Sequence, residues 1–308
     1  MNLDFATTSL LANMAIAEAP TLDTLTPEEA RLAYTEIYKG LPGGPESVSS
    51  EDVEIPVDGA TISCRILRPA GNANSVIIYY HGGGWTIGTL DAYDAPLRKL
   101  ANTANAAIVS VDYRLAPEHP FPAAVEDAFA ALHWAGANIE ELAGAKLPLT
   151  VAGDSAGGNL AAIVSQLARD NGGPSIDAQV LIYPSTEGDI DADYMDRFEA
   201  PFLTKDEIAW FFDQYVPDKG MRRHPLFAPA YAADLSGLPP AFVLTAEYDL
   251  LCEDGENYAE MLKQAGVHVL SKRYDGTIHG FFSIDGGLKH SVQATDDIAN
   301  FIKSVIRT

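Results

Sequence analysis

"VAGDSAGGNL", Val151 to Leu160, joins an apolar, β-branched stretch to a helical one and places a serine at the joint. Gly153-Asp154-Ser155-Ala156-Gly157 fits the pattern G-x-S-x-G. At ordinary glycine frequencies, and with serine taken as similar, the bare pattern arises by chance in roughly one chain in ten of this length. The flanks therefore decide its meaning. Before the serine, "LPLTVAG" reads as a strand; after it, Leu160, Ile163, Val164 and Leu167 recur on one helical face. A strand that turns sharply into a helix lifts a serine hydroxyl above a sheet, and glycines flank it because neighbouring backbone crowds such a turn. The plainer alternative is a buried serine at a glycine-rich helix start.

The same alternation extends outward from this turn. "SVIIYY", "AAIVSV", "AQVLIY", "AFVLTA" and "VHVLSKRY" are continuous apolar runs suited to strands buried on both faces. Helical stretches separate them, which implies a mostly parallel sheet covered on both sides. Upstream, "EDVEIPV" and "TISCRILR" alternate around Asp58-Gly59 and predict a hairpin that adds antiparallel strands at one edge. The first forty residues read as helical. In "TPEEARLAYTEIYKG", Thr26 is an N-cap, Glu29 closes a capping box and Gly40 is a stop; "LPGGP" (Leu41 to Pro45) follows as a loop. One segment breaks the alternation. About forty residues after "LIYP" lack a strand pattern but hold a second capping box, Thr204 with Glu207, and an aromatic helical face of Ile208, Phe211, Phe212 and Tyr215. A helical excursion of this kind is often a lid over a site, and its aromatic face must bury itself against something. The plainer alternative is a surface insertion.

A serine hydroxyl is a poor nucleophile unless an imidazole takes its proton. His279, in "TIHGFF", follows the last strand candidate, where loops gather at the carboxyl edge of a parallel sheet. Asp249 ends "AFVLTAEYD" after the preceding strand and supplies the orienting acid, giving the chain order Ser, Asp, His. Among alternatives, Glu247 lies at the strand end, Asp254 reads as a cap of the next helix, and His290 lies within a helix candidate. "HGGGW", His81 to Trp85, follows the third strand candidate. Its glycines let backbone N–H groups approach a reacting carbonyl and hold the oxyanion that attack creates, and the Ala156 N–H completes that hole. The rival reading of this loop, a phosphate cradle, lacks the Lys-Ser/Thr of a P-loop and the G-x-G-x-x-G pattern.

Bulk properties narrow the class further. The 308 residues carry 20 Lys and Arg against 43 Asp and Glu, a formal net charge of −23. Nucleic-acid binding needs a cationic footprint, and an anionic membrane surface would repel this chain, so neither partner is expected. Cys64 and Cys252 are too far apart in sequence to form a disulfide framework, and no zinc-like spacing of cysteine or histidine occurs; neither a metal nor a cofactor is expected. Leu10 to Ala17 is mostly apolar, but no Lys or Arg precedes Arg31 and Asp4 and Asn13 interrupt it. An export signal is therefore not expected, and the expected location is cytoplasmic.

Together "HGGGW", "DYRLAPEHPFPAA" (Asp112 to Ala124), "GDSAGGN", "AEYD" and "IHGF" resemble the hormone-sensitive-lipase-like carboxylesterases of the α/β-hydrolase superfamily, from about Glu51 to the C-terminus. The resemblance implies an α/β-hydrolase fold with a helical cap. Residues 1–45 would be N-terminal cap helices, 46–186 and 225–308 the two parts of the catalytic domain, and 187–224 the cap insertion. It implies that Ser155, Asp249 and His279 form a triad, that Gly83, Gly84 and Ala156 supply the oxyanion donors with Gly82 as a further candidate, and that the "YRLAPE" block is a structural brace. Leu250 departs from the family, which often has Pro after the acid. The implied activity is hydrolysis of short- to medium-chain carboxylic esters through an acyl-enzyme. Trp85, Phe202, Phe211, Phe212, Tyr215, Phe281 and Phe282 are the expected pocket walls. Amide hydrolysis on the same triad and a non-catalytic ligand receptor are the alternatives. A homodimer through the edge strand "VHVLSKRY" is also expected, because an apolar strand at a sheet edge needs protection.

Overall fold

The apolar runs form a single eight-stranded sheet in the computed structural model, which describes residues 2–16, 20–39, 43–284 and 289–306. Along the chain the elements are α1 (Phe5–Ile16), α2 (Pro27–Lys39), β1 (Ser49–Val57), β2 (Ala60–Arg68), β3 (Ser75–Tyr80), α3 (Leu90–Ala104), β4 (Ala106–Val111), α4 (Ala123–Ala137), α5 (Ile139–Ala143), β5 (Leu149–Asp154), α6 (Ala156–Asn171), β6 (Ala178–Ile182), α7 (Lys205–Tyr215), β7 (Ala241–Tyr248), α8 (Cys252–Gln264), β8 (Val269–Ile278) and α9 (Lys289–Val305). The spatial order is β1-β2-β4-β3-β5-β6-β7-β8. β1 pairs with β2 antiparallel across the Asp58-Gly59 turn, β2 pairs with β4 antiparallel, and every other pairing is parallel. This is the α/β-hydrolase arrangement that the sequence predicts.

Side-chain alternation along the buried strands sorts the core into two layers. Val76, Ile78 and Tyr80 of β3 join one apolar cluster with α4, α5, α6 and α8, while Ile77 and Tyr79 face the other with α3 and α9. β3 to β6 are buried throughout, which is why their sequences read as continuous apolar runs rather than as alternation. The order reverses at β3: the chain leaves β3 toward β4 on one side, then returns to β5 on the other. The loops after β3 and β5 therefore diverge and open a crevice at their carboxyl ends, the standard place for a ligand in an open α/β sheet. Those two loops are "HGGGW" and the serine turn.

Both predicted capping boxes form. Thr26 and Glu29 close the first at the start of α2. Thr204 and Glu207 close the second at the start of α7, and such a cap is worth about 1 kcal/mol. The Glu207 carboxylate has a second task. Its Oε1 accepts the N–H of Leu22 at 3.0 Å, tying the N-terminal helices to the insertion that holds α7. Ala30, Ile87 and Phe211 form a small third apolar cluster at that junction. The stop expected at Gly40 and the first part of the Leu41–Pro45 loop lie outside the described residues. Asp254 does not cap α8. It is buried and accepts from the backbone N–H groups of Thr186 and Glu187 at 2.9 and 3.0 Å, so it pins the start of the insertion instead. β8 is an edge strand as expected, but its middle is less apolar than "VHVL" suggests. Lys272 pairs with Asp297 and Arg273 with Glu256, and Leu270 is exposed.

Candidate active site

Ser155 sits between the last residue of β5 and the first of α6, with φ 55° and ψ −118°. Few non-glycine residues adopt positive φ, and one held there signals a backbone fixed by its surroundings. The Ser155 N–H donates to the Ile182 carbonyl at 2.8 Å, which fixes the turn against β6. Close packing explains the motif's glycines: a Cβ on Gly157 would lie 1.9 Å from the Tyr80 carbonyl oxygen. Only glycine lets α6 start so near β3.

The structure brings together the three residues expected to act with one another. His279 follows β8 and Asp249 follows β7. The His279 Nε2 lies 2.9 Å from Ser155 Oγ, and its Nδ1 lies 2.6 Å from Asp249 Oδ2. A carboxylate only accepts, so Nδ1 donates to Asp249 and Nε2 keeps its lone pair for the serine proton. The other Asp249 oxygen accepts from the Leu251 N–H at 2.9 Å, and the carboxylate is buried. Leu250, at the family's frequent proline position, is packed in the core and leaves this geometry intact. Glu247 is engaged elsewhere, accepting the Gly276 N–H at 2.7 Å, and His290 lies 3.5 Å from Asp4.

"HGGGW" divides into a structural half and a half that faces the cavity. The His81 ring is buried, stacks on Tyr113 with centroids 4.3 Å apart, and donates from Nδ1 to the Gly82 carbonyl at 2.7 Å. Burial pushes its pKa down to about 4, so it stays neutral. Gly82 does not fit the role of oxyanion donor. Its N–H is committed to Asp154 Oδ1 at 2.9 Å and to the Tyr93 hydroxyl at 3.0 Å, and it does not line the cavity. Gly83, Gly84 and Ala156 do line the cavity beside Ser155. Ala156 opens α6, where a backbone N–H has no partner within the helix.

Asp154 is the residue that sequence reasoning missed. Its carboxylate is fully buried directly before Ser155 and accepts from Tyr79 at 2.8 Å, Tyr93 at 2.9 Å and the Gly82 N–H. Burial raises its pKa to about 6, against the lowering effect of those donors. The available signal was the aspartate itself, since an acid at the end of a largely apolar, buried strand demands buried donors. The "YRLAPE" block braces the loop as expected. The Tyr113 hydroxyl donates to the His81 carbonyl at 2.7 Å, and Arg114 pairs with the buried Asp127. Arg31 from α2 reaches across to Glu118 and to the carbonyls of Thr86 and Ala116.

Above Ser155 lies a cavity of about 530 Å³ with mostly apolar walls. Of the expected wall residues, Trp85, Phe202, Phe211 and Phe212 line it. Tyr215, Phe281 and Phe282 do not. Tyr215 is buried behind Trp85. Gly280, with φ 82°, turns the chain after His279, and Phe281 and Phe282 drop back into the core against Tyr274 and Tyr79. Their places are taken by residues the sequence did not single out, including Leu22 and Ile37 from the N-terminal region and Ile284.

Comparison with known proteins agrees with this fold. The sequence matches the alpha/beta hydrolase fold family over residues 77–283, a span that contains Ser155, Asp249 and His279. It is 44% identical over 252 residues to carboxylesterase NlhH of Mycobacterium tuberculosis, covering 80% of this chain and 79% of that protein. An arylesterase of Saccharolobus solfataricus is 37% identical over 284 residues, 91% of each chain. Among solved structures, the ester-hydrolase EH1AB1 from the metagenome of Lake Arreo, complexed with a bipyridine phosphonate derivative, superposes with a TM-score of 0.93 at 39% identity, over 99% of this chain and all of that one. With fold, site geometry and sequence in accord, the chain belongs to the α/β-hydrolase superfamily and, within it, to the hormone-sensitive-lipase-like carboxylesterase family.

Proposed function

We propose that this protein is a serine carboxylesterase that hydrolyses short- to medium-chain carboxylic esters through an acyl-enzyme. The observation that carries the reading is the continuous chain Ser155 Oγ, His279 Nε2, His279 Nδ1, Asp249 Oδ2, at 2.9 and 2.6 Å, on the floor of an apolar cavity. His279 takes the serine proton as Oγ adds to the ester carbonyl carbon, and the N–H groups of Gly83, Gly84 and Ala156 receive the developing oxyanion. The intermediate collapses, the bond to the alcohol oxygen breaks, and His279 returns the proton to the leaving alcohol. Water then gives a proton to the same imidazole as it attacks the acyl-serine; the bond from the acyl carbon to Oγ breaks, His279 returns that proton to Oγ, and the acid is released. Asp249 holds the imidazole in the required tautomer and faces its positive charge. The relatives bear esterase names, which favours ester over amide bonds. The test is steady-state hydrolysis of a nitrophenyl butyrate series by wild type and Ser155→Ala. Loss of several decades in kcat with an unchanged melting curve supports the reading; retained turnover contradicts it.

In the same reading the N-terminal residues 1–45 and the insertion 187–224 act as the cap. Support comes from the Glu207–Leu22 bond and from the residues that both segments contribute to the cavity. Pairing of two β8 edges would give a homodimer and cover Leu270; a mass by light scattering that stays monomeric at micromolar concentration contradicts it. Among the described residues no helix is long and apolar enough to cross a membrane. Cys64 and Cys252 are buried and unpaired, in keeping with a reducing, cytoplasmic location.

A further inference from the structure

α7 presents an aromatic face to the "HGGGW" loop, and its contacts reach beyond forming a wall. Phe211 lies so close to Gly84 that a Cβ there would sit 2.1 Å from its ring. Tyr215, one turn later, stacks face to face on Trp85, with centroids 4.8 Å apart and planes 10° apart. Phe212 and Phe227 close on the same indole at 6.2 and 5.2 Å. Trp85 itself has φ 56°. A bulky residue in the left-handed region persists only where its surroundings hold it, and here the surroundings are those rings. The clamp is anchored at both ends. Upstream, the Glu207 carboxylate closes the capping box of α7 and accepts the Leu22 N–H. Downstream, the Tyr215 carbonyl accepts the Phe121 N–H at 2.8 Å, and the Trp85 carbonyl accepts that of Ala116 at 2.8 Å.

We infer that α7 sets the shape of the oxyanion loop, with Phe211 and Tyr215 as positioning residues for the N–H groups of Gly83 and Gly84. The inference rests on the esterase reading of Ser155. On this account the glycine at position 84 answers to the ring above it as much as to the substrate. Donors that must meet an oxyanion act in the transition state, so a loosened loop lowers kcat and leaves KM nearly unchanged. Tyr215 separates this role from that of a wall, because it does not line the cavity.

The experiment compares wild type, Tyr215→Phe and Tyr215→Leu on nitrophenyl acetate, whose acyl group is too small to need the cavity walls. Active sites are counted by titration to completion with an organophosphonate, so that a misfolded fraction does not count. Tyr215→Phe keeps the stack and is expected within about twofold of wild type. Tyr215→Leu is expected to lose about 10- to 100-fold in kcat per titrated site, with KM within about threefold, a part of what removing a whole oxyanion donor costs. Unchanged kcat per site, or a loss confined to KM, overturns the inference. Should Tyr215→Leu fail to fold, Phe211→Leu replaces it. A fall in acetate kcat then supports the clamp, and an effect seen only with longer esters overturns it. Wild type that neither hydrolyses the ester nor reacts with the phosphonate would instead refute the esterase reading.

Discussion

The N–H of Gly82 is committed to the carboxylate of Asp154, 2.9 Å away, and so the first glycine of "HGGGW" is tied to the residue preceding Ser155. One buried acid thereby fixes the loop of Gly83 and Gly84 to the serine turn. That acid has four donors on its two oxygens, Tyr79 and Gly82 on Oδ1 and Tyr93 and, at 3.5 Å, Tyr183 on Oδ2. Protonation converts one oxygen to a donor and leaves at least one of these groups without its acceptor.

Asp154 therefore carries a pH prediction with opposite signs for stability and rate. Its pKa in the folded protein is about 6, above the ordinary 3.8. The folded state binds this proton more tightly than the unfolded chain. Its contribution to stability is full below about 3.8 and is lost as pH rises through about 6. We expect the rate to follow the ionised form, which holds the Gly82 N–H, and so to fall in the other direction. We expect kcat/KM to fall as the pH drops through about 6, because Asp154 then takes up a proton and gives up part of its hold on the loop. Asp154→Asn should be slower and show a shallower fall. The melting temperature of wild type minus that of Asp154→Asn should grow as the pH is lowered from about 7 to about 5. Identical slopes in the two proteins would contradict this.

Asp249→Asn tests the orienting acid. An amide can present its NH2 to Nδ1 and stabilise the tautomer in which Nε2 carries the proton, which cannot accept one from Ser155. A fall in kcat on the order of 10⁴ is expected, with a native circular dichroism spectrum. A loss below about tenfold would mean that Asp249 is not the acid.

Chain-length selectivity follows from the cavity. Each methylene that finds apolar wall adds ~0.8 kcal/mol, and once room runs out overpacking reverses the gain by ~1–3 kcal/mol. We expect kcat/KM on nitrophenyl esters to peak at about four to six acyl carbons and to fall clearly by about twelve, the point where this reversal outweighs further burial. Phe202→Ala opens a wall and should move the peak to longer chains. A peak that does not move would show that Phe202 does not bound the acyl group.

The fold was legible because its signals are local. Strands such as "SVIIYY" are buried on both faces and read as unbroken apolar runs, and the hairpin and both capping boxes are written in a few adjacent residues. Ser155, Asp249 and His279 were legible because each follows a recognisable strand, and parallel strands deliver such loops to one edge. What could not be read were contacts made across the chain. The direction of Phe281 and Phe282 depends on the turn at Gly280, and that of Tyr215 on the indole it stacks against. The burial of Asp154 under Tyr79 and Tyr93, and the contribution of Leu22 and Ile37 to the cavity, belong to tertiary packing that no spacing rule encodes.

Covalent modification tests the central claim most directly. An organophosphonate nitrophenyl ester loses nitrophenolate to an activated serine and leaves a stable phosphonyl group that mimics the tetrahedral intermediate. Incubated with the full chain at neutral pH and followed by peptide mass spectrometry, the reagent is expected to add one phosphonyl group per chain, on Ser155, in step with the loss of esterase activity. Ser155→Ala should remain unmodified under the same conditions. Modification at another residue, or inactivation of Ser155→Ala at the wild-type rate, would contradict the account.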